Sequence, residues 1–184
     1  MELMQLSSSA LLDSGMVFLD GEINDAVAHS VISQLLYLNA KYPTRAIQFI
    51  ISSPGGSVDA GYAIYDVMNY VKPPIETIAV GMVASMAAFL LSSGTRGKRY
   101  ALPNAKILIH QPSGQAAGQS TDILIAADHI KRTRERMEEV FAHNTRKPID
   151  QVHRDMERDF FMLAQEAKEY GLIDRIIQTS PKAY

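Results

Sequence analysis

A serine, a histidine and a glycine-rich turn are the parts of this sequence that could carry out chemistry. Ser85 lies in an apolar run, where a predicted strand becomes a predicted helix. His110 ends a later apolar strand, and Gly55-Gly56 opens another predicted helix. A nucleophilic hydroxyl needs a general base within hydrogen-bonding distance, and backbone donors where negative charge develops. Together these features indicate a serine hydrolase.

The predicted position of Ser85 at the start of a helix suits a nucleophile. The free amides of the first turn would lie beside its hydroxyl, and the amide of Met86 would point at the tetrahedral oxygen. The alternative is a serine that caps the helix, which is a common role for this residue. The surrounding motif is not Gly-x-Ser-x-Gly, so the turn of the α/β-hydrolases is not matched.

Five histidines are available as the base, and His110 is the strongest candidate. It follows Ile107-Leu108-Ile109, which would half-bury the imidazole and hold it rigidly, as a general base requires. The alternative is a core histidine with no role in chemistry. The other histidines lie in predicted helices among polar neighbours, which is typical of surface residues: His29, His129, His143 and His153.

A third residue should orient the imidazole, and Asp159 is the preferred acid. It precedes Phe160-Phe161-Met162, and a carboxylate against an apolar run must be paired to offset its desolvation. Asp122 and Glu157 are weaker candidates, and spacing alone does not decide among the three. No cluster of His, Asp and Glu has the spacing of metal ligands, so we expect no metal site.

Gly55-Gly56 has two interpretations. A glycine turn before a helix could cradle a phosphate, but Gly-x-Gly-x-x-Gly and the lysine of a P-loop are missing here. A backbone amide that serves an oxyanion is the more specific interpretation.

Composition limits the class of protein. The chain has 184 residues, a formal net charge of -2 and no cysteine, which suits one domain and argues against a nucleic-acid partner, disulfides and a cysteine nucleophile. Residues 77–95 carry no charge, and their length approaches the roughly 20 residues of a membrane-spanning helix. Glycines and serines interrupt this run, so we expect a buried strand followed by a buried helix, and no membrane span. The N-terminus lacks the features of a signal peptide.

Strands and helices alternate in the first half of the chain, which predicts an α/β fold with mainly parallel strands. Strands are predicted over residues 16–19, 46–51 and 75–80, and helices over 25–40, 57–71 and 85–91. The apolar stripe of the first helix is predicted at Ala28, Ile32, Leu35, Leu36 and Asn39.

The second half is predicted to contain strands over residues 99–102 and 106–110, a loop or extended segment over 111–119, and a helix over 122–144. Residues 131–136 of that helix are charged all round. It would either project and dock on a partner subunit or lie as a solvated surface helix. Residues 1–14 and 180–184 are expected to be loose termini.

Several segments match one protein family in order and spacing, over about residues 11–177. They are Ser53 to Ser57, Ala60 to Asp66, Ala84 to Leu91, Gly97 to Ala105, Ile109 to Pro112, Gly118 to Ile123, Glu157 to Phe160, Ala164 to Ala167 and Tyr170 to Asp174. On these segments the chain resembles ClpP, the proteolytic subunit of the ATP-dependent Clp protease.

The resemblance implies a single domain over residues 1–184 with the ClpP/crotonase-like fold of repeated strand-helix units. It implies a protruding handle helix over about 121–144 and a short N-terminal axial segment over 1–14. It also implies Ser85, His110 and Asp159 as nucleophile, base and orienting acid, with the amides of Gly56 and Met86 as the oxyanion hole.

The resemblance further implies an assembly that encloses the active sites. Two heptameric rings would stack through the handles as a tetradecamer, with Glu157 and Arg158 in ring–ring contact. Substrate would add as a strand between residues 114–118 and the strand before Gly55. An AAA+ unfoldase such as ClpX, ClpA or ClpC would feed unfolded polypeptides into the chamber, with an apolar preference at P1. This chain would bind no ATP or other cofactor and would work in the bacterial cytosol or its organelle equivalent.

Two departures from the family pattern modify these expectations. The family carries aromatic residues on the strand before Ser-Pro-Gly-Gly, where unfoldases dock, whereas this chain has Gln48 and Ile50; Tyr100 and Leu102 keep the apolar character. We therefore expect weak docking, and a subunit that works beside a second ClpP-type subunit. The short segment before the first strand is expected to alter axial gating.

Two other functions compete with an active peptidase. A non-catalytic or poorly active ClpP-like subunit of a mixed complex is one, although Ser85, His110 and Asp159 are all present. A crotonase-fold enzyme that acts on acyl-CoA is the other, and it would need neither the serine nor the histidine.

Overall fold

Seven strands form one sheet in the computed structural model, which describes residues 9–178 of the chain. The strands are β1 (Met16–Asp20), β2 (Ile47–Ser53), β3 (Ile75–Ala84), β4 (Arg99–Ala101), β5 (Lys106–Ile109), β6 (Phe160–Leu163) and β7 (Arg175–Ile176). Residues 9–13 are helical (α1). The other helices are α2 (Asp25–Lys41), α3 (Val58–Tyr70), α4 (Met86–Ser92), α5 (Ser120–Thr145), α6 (Ile149–Asp155) and α7 (Ala164–Tyr170).

The sheet is parallel except at β6, which confirms the predicted α/β fold class. Its main path runs β1-β2-β3-β4-β7. The long strand β3 pairs with β4 through residues 77–79 and then, on the same edge, with β5 through residues 82–84. β6 pairs antiparallel with β5. The last residues of β3 and β5 therefore lie side by side, where ligands bind in parallel sheets.

The third strand is longer than predicted. The sequence suggested an end near Val80, but β3 continues through Gly81 to Ala84. Gly81 has φ +63°, and the register between β2 and β3 shifts between Ile51 and Ser53. A glycine inside a strand commonly marks such a bulge, and here it lets the strand continue to the residue before Ser85.

The predicted apolar stripe of α2 is wrong in part. The buried residues of the helix are Ala28, Val31, Leu35 and Leu38, while Leu36 is exposed. Val31 lies three residues after Ala28 and Leu38 three after Leu35, so they share one helical face. Leu36 directly follows Leu35 and is turned about 100° from it around the helix axis. Asn24 begins the helix by accepting a 3.0 Å hydrogen bond from the Val27 amide.

The helix α5 has two different halves. Its second half is buried through Met137, Val140 and Phe141, whereas Ile123, Leu124 and Ile125 in its first half are exposed. A wholly solvated surface helix is therefore wrong for the second half of α5, while residues 120–125 in the first half are exposed.

The expectation of loose termini covered residues 1–14 and 180–184. Residues 1–8 and 180–184 lie outside the described residues, whereas residues 9–13 are helical, so the expectation is wrong for them. Among residues 9–178, none of the helices has both the length and the apolar character that crossing a membrane requires.

Candidate active site

Ser85 lies at a strained strand-to-helix turn between β3 and α4. Its backbone has φ +57° and ψ -124°, in a region that residues other than glycine rarely adopt. Its side chain makes no capping hydrogen bond to the helix, so the alternative of a capping serine is wrong. Such strain persists only where the surroundings impose it, and it is common at functional sites.

The surroundings impose this turn on Ser85 from both sides. The Ser85 amide donates to the Leu108 carbonyl at 2.9 Å, which continues the pairing of β3 with β5. The Ser85 carbonyl accepts from the Phe89 amide at 3.1 Å, which starts α4. Every residue of α4 is buried, so the helix cannot shift to relax the turn.

The glycine turn packs directly against Ser85. A Cβ atom on Gly55 would lie 2.7 Å from both the Ala84 carbonyl oxygen and the Ser85 Cβ, and Gly55 has φ +93°. Any side chain at this position would displace the serine backbone. Only glycine allows the turn after β2 to approach the end of β3 so closely.

The neighbouring secondary structure uses neither the Gly56 amide nor the Met86 amide as a hydrogen-bond donor. The Ile23 amide donates to the Gly55 carbonyl, and the Ser57 amide donates to the Ile23 carbonyl, each at 2.8 Å. In this parallel bridge the Gly56 N–H faces away from Ile23. Met86 is the first residue of α4, so its amide has no partner within the helix.

His110 and Asp159 form a hydrogen-bonded pair, with Nδ1 of the imidazole 2.9 Å from Oδ1 of the carboxylate. His110 follows β5, Asp159 precedes β6, and these antiparallel strands pair Ile109 with Phe160. His110, which follows Ile109, therefore lies opposite Asp159, which precedes Phe160. An ionised carboxylate only accepts hydrogen bonds, so we assign the proton to Nδ1, which leaves Nε2 as the basic nitrogen.

The physical argument that selected Asp159 from the sequence is wrong. Its side chain is 61% exposed in the single chain, and that of His110 is 35% exposed. Strand register, and not the desolvation of a buried carboxylate, brings the pair together.

The competing acids lie elsewhere. Glu157 pairs with Arg134 at 2.8 Å, and hydrogen bonding to that guanidinium, with its charge, lowers the pKa of Glu157. Asp122 lies in the first turn of α5. Of the three acids, only Asp159 hydrogen-bonds His110 within residues 9–178.

Ser85 lies beside this pair without a hydrogen bond to it. β5 ends next to the turn that carries Ser85, because Ala84 pairs with Leu108. Across the described residues, the hydrogen bonds of His110 do not include one to Ser85 Oγ. In hydrolases without substrate, such bonds are often long or poorly aligned.

Two cavities adjoin the irregular segment of residues 111–117. One of about 570 Å³ is lined by His110, Gln111, Pro112, Ser113, Glu157, Arg158 and Asp159. The other, of about 220 Å³, is lined by Val58, Asp59, Pro112, Ser113, His129, Ile130 and Thr133. Both cavities reach Pro112 and Ser113 at the start of the segment, and the backbone of the segment belongs to no strand.

The expected docking positions lie on one face of the sheet, together with an aromatic residue that sequence reasoning missed. One row of paired residues crosses four strands of the sheet. It contains Phe18 of β1, Ile50 of β2, Ile78 of β3 and Tyr100 of β4. A cavity of about 470 Å³ includes Phe18 and Ile50 in its lining. The burial of Val17 and Leu19 on either side is the alternation that could have placed Phe18 on this face.

Of two residues that were interpreted as solvated, one is exposed and the other is not. His153 is a surface histidine, because its side chain is 54% exposed, although its Nδ1 lies 3.0 Å from the Glu138 carboxylate. Arg134, within the charged stretch of α5, is only 18% exposed. No sequence signal distinguishes it from the other basic residues nearby.

One comparison bears on these observations. The family model described as Clp protease matches residues 2–180 of the chain. The match covers nearly the whole sequence and includes every site residue named above.

Proposed function

The chain belongs to the Clp protease family, and from that membership we propose that it is a serine endopeptidase subunit with Ser85, His110 and Asp159 as its catalytic residues. The observation that carries the assignment of residues is the His110–Asp159 hydrogen bond at 2.9 Å, beside the strained turn of Ser85. Family membership implies a peptidase of the Clp type. The residue roles, the chamber and the partners are our proposal.

In the proposed mechanism, His110 Nε2 removes the proton of Ser85 Oγ as the oxygen attacks the scissile carbonyl carbon. Asp159 holds the Nδ1 proton and stabilises the imidazolium. The tetrahedral oxyanion accepts from the amides of Gly56 and Met86. His110 then donates its proton to the leaving amine, which leaves an acyl-enzyme. Water, activated by His110, releases the second product and restores Ser85.

Substrate is proposed to bind as an extended strand between residues 114–118 and the end of β2. Residues 112–117 support this, because they belong to no strand and an extended backbone of that kind pairs with an added strand through its amides and carbonyls. Main-chain pairing is independent of side chains, which suits broad cleavage of unfolded polypeptides. Apolar side chains are expected to be preferred at P1.

The proposed assembly is two heptameric rings that stack through α5 as a tetradecamer. The exposed apolar side chains of Ile123, Leu124 and Ile125 in its first half support a protein contact there. Glu157 and Arg158, beside Asp159, are proposed to contact the opposite ring. Assembly would then act directly on the geometry of the catalytic residues.

An AAA+ unfoldase such as ClpX, ClpA or ClpC is proposed to dock on the face that carries Ile50, Tyr100 and Leu102. ATP would be used by that partner, with no cofactor in this chain, and the compartment would be the bacterial cytosol or its organelle equivalent. Gln48 places a polar side chain where an apolar contact with the unfoldase is expected. Phe18, which pairs with Ile50, adds an aromatic side chain to the same face. Mixed rings with a second ClpP-type subunit remain part of the proposal.

A poorly active subunit that depends on a second ClpP-type partner is the alternative function. The lack of a hydrogen bond between Ser85 Oγ and His110 among the described residues favours it. Binding to the partner would then shift the population toward an aligned site.

Labelling with a fluorophosphonate tests the proposed function. We expect one covalent adduct per chain by intact mass, because an activated serine attacks the probe irreversibly. No adduct, alone or with a ClpP-type partner added, would contradict catalysis by this chain. An adduct that forms only with the partner would establish the dependent subunit.

The oxyanion role of Gly56 gives a separate prediction. Gly56→Ala places a Cβ against the backbone of Ile23 at φ +147°, so the amide moves and kcat should fall about 10²- to 10³-fold. Gly21→Ala is the matched control, because φ is +74° there but no atom lies within 4 Å of the added Cβ. Peptide hydrolysis by both variants checks this. Equal kcat for Gly56→Ala and the wild type would exclude the Gly56 amide from the oxyanion hole.

A further inference from the structure

Arg134 connects helix α5 to both chain segments that carry the His110–Asp159 pair. Its Nε donates to Glu138 Oε1 at 2.6 Å, its Nη1 to Gln111 Oε1 at 2.8 Å, and its Nη2 to Glu157 Oε2 at 2.8 Å. Each nitrogen of the guanidinium therefore has a separate partner. Gln111 directly follows His110, and Glu157 lies two residues before Asp159.

Gln111 extends this contact into a link between the two segments. Its side-chain Nε2 donates to the Glu157 carbonyl at 2.9 Å, and its backbone amide donates to the Met156 carbonyl at 2.7 Å. The Arg134 guanidinium binds the amide oxygen, which turns the amide nitrogen toward Glu157. Arg134 thus fixes the orientation in which Gln111 joins residues 110–111 to residues 156–157.

The anchor of Arg134 is itself rigid. Glu138 is 5% exposed, and it also contacts His153 of α6. The basic neighbours of Arg134 differ, because Lys131, Arg132 and Arg136 pair with carboxylates three or four residues away on the exposed face of α5. Only an arginine fork reaches three separated acceptors in one plane.

We propose that Arg134 is a positioning residue for the peptidase reaction, which holds His110 and Asp159 in register through Gln111 and Glu157. This inference rests on the proposed function. A shift of about 1 Å in a catalytic group can reduce the rate about 10²-fold. Arg134 touches neither substrate nor the reacting atoms, so its loss should lower kcat and leave KM nearly unchanged.

The test compares Arg134→Met with Arg134→Lys and with the control Arg136→Met, which removes an exposed arginine of the same helix. Peptide hydrolysis, the rate of fluorophosphonate labelling and the size of the assembly are measured for each. We expect kcat and the labelling rate of Arg134→Met to fall about 10- to 100-fold with KM within about twofold. Arg134→Lys should be intermediate, and Arg136→Met should match the wild type.

A second variant guards against misfolding, because Arg134→Met leaves the buried Glu138 without its arginine. Gln111→Met removes the link while the pairs of Arg134 with Glu138 and Glu157 remain. It should lower kcat in the same direction with assembly intact. Wild-type kcat in an assembled Arg134→Met or Gln111→Met protein would overturn the inference. A wild-type chain that neither labels nor cleaves, even with a partner, would instead overturn the proposed function, and this inference with it.

Discussion

Ser85→Ala should abolish peptide hydrolysis and fluorophosphonate labelling, with a fall in kcat of about 10⁴-fold or more. The substitution removes the only atom that is proposed to bond to the substrate. Its structural effect should be small, because Ser85 Oγ makes no capping bond and the backbone bonds to Leu108 and Phe89 remain. Peptide hydrolysis and intact mass after labelling check the prediction.

Ser85→Gly separates catalysis from backbone strain at the same position. It should be equally inactive, but at least as stable as Ser85→Ala, because φ +57° strains alanine and not glycine. Thermal unfolding of the two variants measures this difference. Residual turnover or labelling in Ser85→Ala, at a level near the wild type, would assign the nucleophile to another residue.

Asp159→Asn should lower kcat about 10²- to 10⁴-fold. An asparagine in this place can donate to Nδ1 and so favour the tautomer that carries its proton on Nε2, where the base must be free. The Asp159 carboxylate is 61% exposed in the single chain. Water therefore screens part of its charge, and for that reason the expected fall in kcat is given as a range. Peptide hydrolysis and the labelling rate check the effect.

Asp122→Asn is the control for this prediction, since Asp122 was a competing acid in the sequence. It lies in the first turn of α5 and should leave kcat within about twofold when assembly is intact. A larger loss in Asp122→Asn than in Asp159→Asn would reverse the assignment of the acid.

Local patterns in the sequence were sufficient to predict most elements of the fold. Alternating apolar strands and helices indicated a parallel α/β sheet, and in the structure Asn24 and Ser57 cap α2 and α3. The boundaries that failed depend on contacts between elements. β3 passes Val80 because its last residues find β5 as a partner, and such pairing is invisible along a single strand.

The sequence also indicated which residue types could react, but not how they meet. Ser85, His110 and the glycine turn are recognisable because each lies at the end of an apolar strand, where a parallel sheet places ligands. Asp159 was selected by a desolvation argument that its exposure contradicts. The register of β5 with β6 explains the pair, and register is a property of two distant segments.

What the sequence determined alone was the fold class and the resemblance to one family, and it also supplied the candidates for the reactive side chains, because periodicity and residue type are local properties. What only the tertiary structure decided was the strain at Ser85, the His110–Asp159 bond and the burial of Arg134 among similar exposed residues. Backbone strain and side-chain pairing arise where segments far apart in the chain constrain each other. A charged run on a helix therefore looks solvated until its neighbours in space are known.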